Sequence, residues 1–392
     1  MGTKAFQVGT TLSEESKVPP EGGQSHPGAG YDLAEFGRKR AGVKGGCQVK
    51  VLFINSGIPG FSYRYAFDIH QTLSKDFNCT VHHFAPQFVS KKTICQLKPD
   101  LILVIHGTFT PPALIRYAGA HGIKTVLWLV EDPYEIDDHH RIIESYDYVF
   151  TNEKQAVGAY HPVSVRVVSY LPWCCNPYVH KDFEVPAKYH SDLCFVGMGF
   201  PNRVRILNAI APAIKDLNVK LIGDWETWGS LHPALKDCVL PVVDDFLEVI
   251  KYYNGAKINL NIHRDPADPP SGNRKRIGAT SPNDRVFALA GCGAFQLVDH
   301  TRPEVANCFQ EGKEIITFSD PEDLAEKVHK YLSNDRLRRS IGRAAAKRAR
   351  REHTYKHRLA YILRVAGVQK TWRSGGYERS DLTEKFARAY FP

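Results

Sequence analysis

Long apolar runs are missing from this 392-residue chain; none approaches the ~20 residues that span a bilayer. The first residues are polar and lack the apolar core of a signal peptide, so a cytoplasmic protein is expected. No CxxC pair and no His/Cys array with zinc spacing occurs among the nine cysteines, although Cys174 and Cys175 are adjacent. That pattern is expected to mean reduced thiols serving as core filler rather than a disulfide or zinc framework. A GxGxxG fingerprint is also absent, which removes the simplest dinucleotide reading. No short-period repeat is evident.

What is present is a soluble composition, 43% hydrophobic, with a formal net charge of +9. Such a balance favours anionic partners: nucleotides, anionic glycans, a membrane surface or nucleic acid. Residues 1–46 are rich in Gly, Pro, Ser and charge and read as a disordered leader. Residues 336–358 hold ten Lys/Arg against one acid. Aromatic interleaving for base stacking is sparse there, so a solvated helix face is the preferred reading.

From Gln48 strands alternate with helices, as in a parallel sheet wrapped by helices. VKVLFINSG, DLILVIHG and KTVLWLVED read as strands; Tyr65, Ile69, Thr72 and Leu73 share one helical face. After a polar stretch near residue 180 the pattern restarts with DLCFVGMGFPNR, VKLIGDW, KINLNIH and AFQLVD. Ser319–Asp320–Pro321 starts another helix. Two doubly wound α/β halves are expected, with a ligand at the strand ends in the cleft between them.

Several residues at those ends are candidates for chemistry. Gly57 and Gly60, in NSGIPG, let backbone approach a ligand closely, although a tight turn is the preferred reading of that loop. His106 ends LILVIH, where a histidine can act as general base on a sugar hydroxyl. Glu131 and Asp132 end KTVLWLV; paired acids there need partners or a function. Gly197 and Gly199 precede a helix with Arg203 and Arg205 in its first turn, a possible diphosphate cradle. Trp225 is a candidate to stack on a nucleobase, and domain packing explains it as well. The strand INLNIHR ends in His263 and Arg264, followed by the cationic loop NRKRIGAT and then SPNDRVFALAGCG. Ser281 suits an N-cap and Pro282 a first helical position. With Arg274, Lys275, Arg276 and Arg285 nearby, that helix start is suited to phosphate.

WLVEDPYEIDDHHRIIESYDYVFTNE and YLPWCCNPYVH resemble the N-terminal domain of CgeB-like (spore-maturation) glycosyltransferases. LCFVGMGFPNRVRIL, KINLNIHR, SPNDRVFALAGCGAFQLVD, EGKEIITFSDPEDLAEKV and REHTYKHR resemble their C-terminal domain, so the likeness runs over about residues 48–365. The resemblance implies an α/β GT-B fold, two Rossmann-like doubly wound domains facing each other across a cleft. It divides the chain into 47–178, on the acceptor side, 179–352, binding the nucleotide-sugar, and 353–392, crossing back to the first domain. It implies donor-phosphate roles for Ser281, Asn283 and Arg285, with His263 and Arg264 beside them; Trp225 and Val243 are expected on the nucleobase side. Relatives usually carry a glutamate after the phenylalanine of this helix, an acid that can hold the donor ribose. Here Phe287 is followed by Ala288.

The expected activity is therefore a metal-independent hexosyl- or pentosyltransferase. It would use a nucleotide-sugar, UDP-linked, as co-substrate and no cofactor. Cations and a helix dipole would stabilise the leaving diphosphate. No clear DxD metal motif is present, although Asp137–Asp138 and Asp244–Asp245 are acidic pairs. The acceptor could be a glycan, a protein or a small molecule. Rival readings are a catalytically degenerate nucleotide- or glycan-binding protein, fed by Ala288, a nucleotide-sugar epimerase, and a nucleic-acid-directed glycosyltransferase, nucleic acid being the less favoured partner.

Overall fold

A computed structural model describes residues 48–58, 61–161 and 165–368. The leader expected over 1–46, Gly60 and the tail from Gln369 lie outside the described residues. The first half runs β1 (Lys50–Ile54), α1 (Phe61–Lys75), β2 (Thr80–Phe84), α2 (Lys91–Leu97), β3 (Leu101–Ile105), α3 (Pro112–Ala120), β4 (Lys124–Leu129), α4 (Ile136–Ile142), β5 (Tyr148–Thr151), α5 (Lys154–Tyr160) and β6 (Val167–Tyr170). The second runs β7 (Ser191–Val196), α6 (Pro201–Ile214), β8 (Val219–Ile222), α7 (Pro233–Lys236), β9 (Val239–Leu240), α8 (Phe246–Gly255), β10 (Ala256–Asn261), α9 (Asp284–Cys292), β11 (Gln296–Asp299), α10 (Val305–Cys308), β12 (Ile316–Phe318) and α11 (Pro321–Leu332). Two helices close the chain, α12 (Asp335–Glu352) and α13 (Tyr355–Val365).

Each half is a six-stranded sheet, ordered β2-β1-β3-β4-β5-β6 and β12-β11-β10-β7-β8-β9. Every strand pair is parallel. Helices therefore cover both faces, and β3, LILVI, is buried along its whole length. Strand order reverses between β1 and β3 in the first sheet and between β7 and β10 in the second. Ligands bind outside the carboxyl ends of strands at such points.

Local signals explain most helix ends. Asp320 caps α11, its side chain accepting the Asp323 N–H, with Pro321 at the first turn, as the sequence predicted. Leu324, Val328 and Tyr331 face the core from that helix. In α12 the apolar stripe Ile341, Ala345, Ala346 and Ala349 is buried, and a Cβ on Gly342 would collide with the Gly293 carbonyl, so the turn after α9 packs backbone to backbone there. Of the basic run, Arg338 and Arg358 are buried and structural. Arg358 donates to the carbonyls of Pro172 (2.7 Å), Trp173 (2.8 Å) and Glu352 (3.1 Å). It anchors α13, whose Leu359, Ile362 and Leu363 share one core with Phe53, Ile69 and Trp128 of the first half. Cys174, Cys175, Cys194 and Cys292 are buried filler, and burial pushes the Cys175 thiol up to about 12. Among the described residues no helix is long and apolar enough to cross a membrane.

Candidate active site between the two sheets

At the switch point of the second sheet, Gly197 follows β7 with φ 155° and donates its N–H to the Ile222 carbonyl. A Cβ placed on it would lie 2.7 Å from Arg285 Nη2 and 3.3 Å from Arg203 Nη1. The glycine thus makes room for two guanidinium groups. Arg203, on the first turn of α6, is buried and donates from Nε to the Ile262 carbonyl (2.9 Å) and from Nη1 to the Met198 carbonyl (2.9 Å). Arg285, on the first turn of α9, donates to Asn261 Oδ1 at 3.0 Å and lies over the Phe195 ring. Neither arginine is ion-paired with a carboxylate among the described residues. Burial, then the charge of Arg285, lowers the Arg203 pKa to about 9. Two cations held together without an anion are costly to bury, and a bound diphosphate removes that cost. Arg264 completes the cationic wall, its guanidinium centred 4.4 Å from the Tyr134 ring and 4.5 Å from the Phe200 ring.

Other expected donor residues are engaged elsewhere. Helix α9 is capped by Asn283, whose side chain accepts the Val286 N–H, and not by Ser281. Glu153 is the reason: its buried carboxylate accepts the N–H groups of Thr280 and Ser281 (3.1 Å each), while Ser281 Oγ accepts the Lys154 N–H at 3.0 Å. Ser281 is therefore a clamp between the sheets. His263 is corrected likewise. Its Nε2 accepts the Asn283 N–H at 3.2 Å, which puts the proton on Nδ1, donated to Asp299 at 2.8 Å. Burial lowers the His263 pKa, so the ring is neutral and spent on orienting the α9 start. Asn283 is occupied by the same network. A Cβ on Gly199 would meet the Trp225 backbone at 2.8 Å, so that glycine serves packing rather than phosphate approach. Trp225 is itself buried edge-on against Phe195 and has no free face for a base. Val243 is half-buried in the β9–α8 loop. Arg274 of the cationic loop pairs with Asp137 at 3.1 Å. Ala288 is fully buried beside Val179, Ile250 and Tyr253 and offers a ribose nothing polar.

The facing wall comes from the first sheet. Asp132 is corrected as a base: its buried carboxylate accepts from Thr151 Oγ1 (2.6 Å) and the Tyr160 hydroxyl (2.8 Å), and it pairs with His139 Nδ1 (2.7 Å). All three partners belong to the same half, so Asp132 positions His139. Glu131 differs. Burial of its carboxyl, then the charges of Glu135 and Asp284, push it up to about 8 against the pull of Arg264 and His139. Of these charges, Asp284 and Arg264 belong to the opposite wall. His106 ends β3 with φ 69°, and its buried ring places Nε2 3.0 Å from Glu135 Oε2. The contact with His106 and its charge outweigh burial and lower the Glu135 pKa. Gly57, at φ 76°, makes a tight turn in which its N–H donates to Asn55 Oδ1 at 3.0 Å. The walls are tied by the Tyr134 hydroxyl donating to the Arg264 carbonyl (3.0 Å), with Arg302 donating to the same oxygen.

Sequence reasoning missed Tyr134, Glu135, His139, Glu153, Asn261 and Arg302. The i,i+4 spacing of Glu135 and His139 in PYEIDDHH was the available signal. Nothing local marked the others.

A family model described as glycosyl transferase-like matches residues 203–364. Spore protein CgeB of Bacillus subtilis (strain 168) is 30% identical over 304 residues, 76% of this chain and 92% of that protein. Among solved structures, Anabaena Alr3699/HepE in complex with UDP and glucose superposes with a TM-score of 0.55 at 13% identity, over 82% of this chain and 100% of that one. Sucrose-phosphate synthase from Thermosynechococcus elongatus gives a TM-score of 0.54 at 11% identity, over 82% and 99%.

Proposed function

The chain belongs to the CgeB-like glycosyltransferase family with a GT-B fold, and from that premise we propose that it moves a sugar from a nucleotide-sugar to an acceptor hydroxyl. The observation that carries this is the unpaired arginine couple, Arg203 and Arg285, converging on Gly197 at the switch point of the second sheet. They hold the donor diphosphate, with Arg264 beside them, and supply the charge that a metal supplies elsewhere. The HepE structure holds UDP and glucose, which supports a UDP-linked donor here.

Glu131 is the base in this reading. The acceptor oxygen attacks the anomeric carbon, the bond from that carbon to the phosphate oxygen breaks, and the nucleoside diphosphate leaves. The acceptor proton passes to the Glu131 carboxylate, whose raised pKa suits proton transfer near neutral pH. Asp132 acts at one remove through His139.

Ala288 favours one second reading, a protein that binds the nucleotide-sugar without transferring it. A thermal-shift panel of nucleotides and nucleotide-sugars tests binding, which adds ~2.7 kcal/mol at a hundredfold excess over Kd. Absence of any shift rejects both readings. A shift without nucleotide release in the presence of varied acceptors selects the second.

A further inference from the structure

We propose that His106, Glu135 and His139 form a binding site for a divalent transition-metal cation of the zinc class, on the first-sheet wall and separate from the arginine couple. Each of the three side chains offers one donor atom, and these atoms all lie within 4.8 Å of one another. Glu135 Oε2 lies 3.0 Å from His106 Nε2 and 3.9 Å from His139 Nε2. Two ligands at zinc distances in a tetrahedral site lie ~3.3 Å apart, so these separations bracket what an ion would draw in.

The decisive observation is His139 Nε2. Its ring is fully buried, and this nitrogen has no hydrogen-bond partner. Glu135 at 3.9 Å is too distant to bond it. A buried ring nitrogen left unpaired in a native protein calls for an explanation, and an ion supplies one. The other nitrogen of the ring is fixed as metal ligands are fixed. Asp132 takes the Nδ1 proton at 2.7 Å and is itself held by Thr151 and Tyr160. That places the Nε2 lone pair toward the cluster, and such outer carboxylates orient most metal-bound histidines. The fold brings the set together simply. Glu135 and His139 are one helical turn apart at the start of α4, and His106 projects from the neighbouring β3 end with its ring edge-on to His139, centroids 5.5 Å apart.

Two imidazoles and one carboxylate suit zinc, cobalt or iron(II) and disfavour magnesium and calcium, which prefer all-oxygen shells. Three protein ligands leave a fourth position for water or a ligand oxygen. The proposal does not depend on the transfer reaction, and it confines the metal-free expectation to the donor phosphates.

Untagged full-length protein, stripped with chelator and dialysed, is titrated with zinc and with cobalt(II). One equivalent of zinc should bind, and cobalt(II) should develop visible d–d absorption of tetrahedral intensity; magnesium should compete with neither. Glu135→Gln and His139→Ala should each weaken zinc binding at least ~100-fold, and Asp132→Asn about 10–100-fold. If His139→Ala does not fold, Glu135→Gln, at a half-exposed position, decides alone. No stoichiometric zinc, or zinc bound equally well by folded Glu135→Gln, overturns the proposal.

Discussion

Replacing Glu131 by glutamine should make the protein more stable at alkaline pH while removing its chemistry. In the folded chain, burial of the carboxyl and the neighbouring Glu135 and Asp284 raise its pKa from the ordinary 4.5 up to about 8. The unfolded chain releases the same proton near 4.5. Between these values the folded state holds a proton that the unfolded state has lost, so this group's contribution to stability falls as pH rises through the window and levels off above 8. At about 1.36 kcal/mol per pH unit the ceiling is about 5 kcal/mol. Relaxation and water entry should reduce it to roughly 1–3 kcal/mol. Glutamine carries no such proton. Urea unfolding of wild type and E131Q from pH 5 to 9 should therefore give curves that coincide near pH 5 and diverge toward pH 9, with the variant more stable. Transfer by E131Q should fall 10²–10⁴-fold, the usual worth of a general base. Parallel stability profiles, or full turnover in E131Q, would refute the reasoning.

Arg285→Ala should weaken nucleoside-diphosphate binding by about 1.5–3 kcal/mol in calorimetry, since it removes a charge-assisted contact. Binding of the same nucleotide by wild type should be unchanged in excess EDTA, because arginines rather than a metal carry the phosphate charge. Asp132→Asn should leave nucleotide affinity within a few tenths of a kcal/mol but cost about 1–3 kcal/mol of stability by denaturant titration, because it disturbs three buried hydrogen bonds. Arg358→Met should cost about 3–5 kcal/mol on the same assay, as it strands the buried Pro172 and Trp173 carbonyls.

The fold was legible because parallel strands buried on both faces read as unbroken apolar runs, as in LILVI and KTVLWL. Glycines and polar residues punctuate those runs where the chain turns toward the cleft. Arg203 and Arg285 stood out in the sequence because cations in the first turn of a helix oppose its dipole unless an anion compensates, and the fold brings both guanidinium groups beside Gly197. What failed was decided by residues far away in sequence. Ser281 had the chemistry of an N-cap, but Glu153, more than a hundred residues earlier, took its N–H, and Asn283 caps instead. Asp132 looked like a base until Thr151, Tyr160 and His139 converged on it. Its neighbour Glu131 makes none of those three contacts, and its carboxyl is pushed up by burial and by the charges of Glu135 and Asp284. Trp225 carried no local sign of the Phe195 ring that buries it.

The central claim is that the arginine couple holds a nucleotide-sugar for transfer. Incubating wild type and Arg285→Ala with a panel of UDP-sugars and candidate acceptors, and measuring both free UDP and sugar attached to the acceptor by mass spectrometry, tests it most directly. The account predicts equimolar UDP and glycosylated product from wild type with at least one donor, and a loss of at least tenfold in the variant. Donors recovered intact across the panel, or turnover indifferent to Arg285, would contradict it.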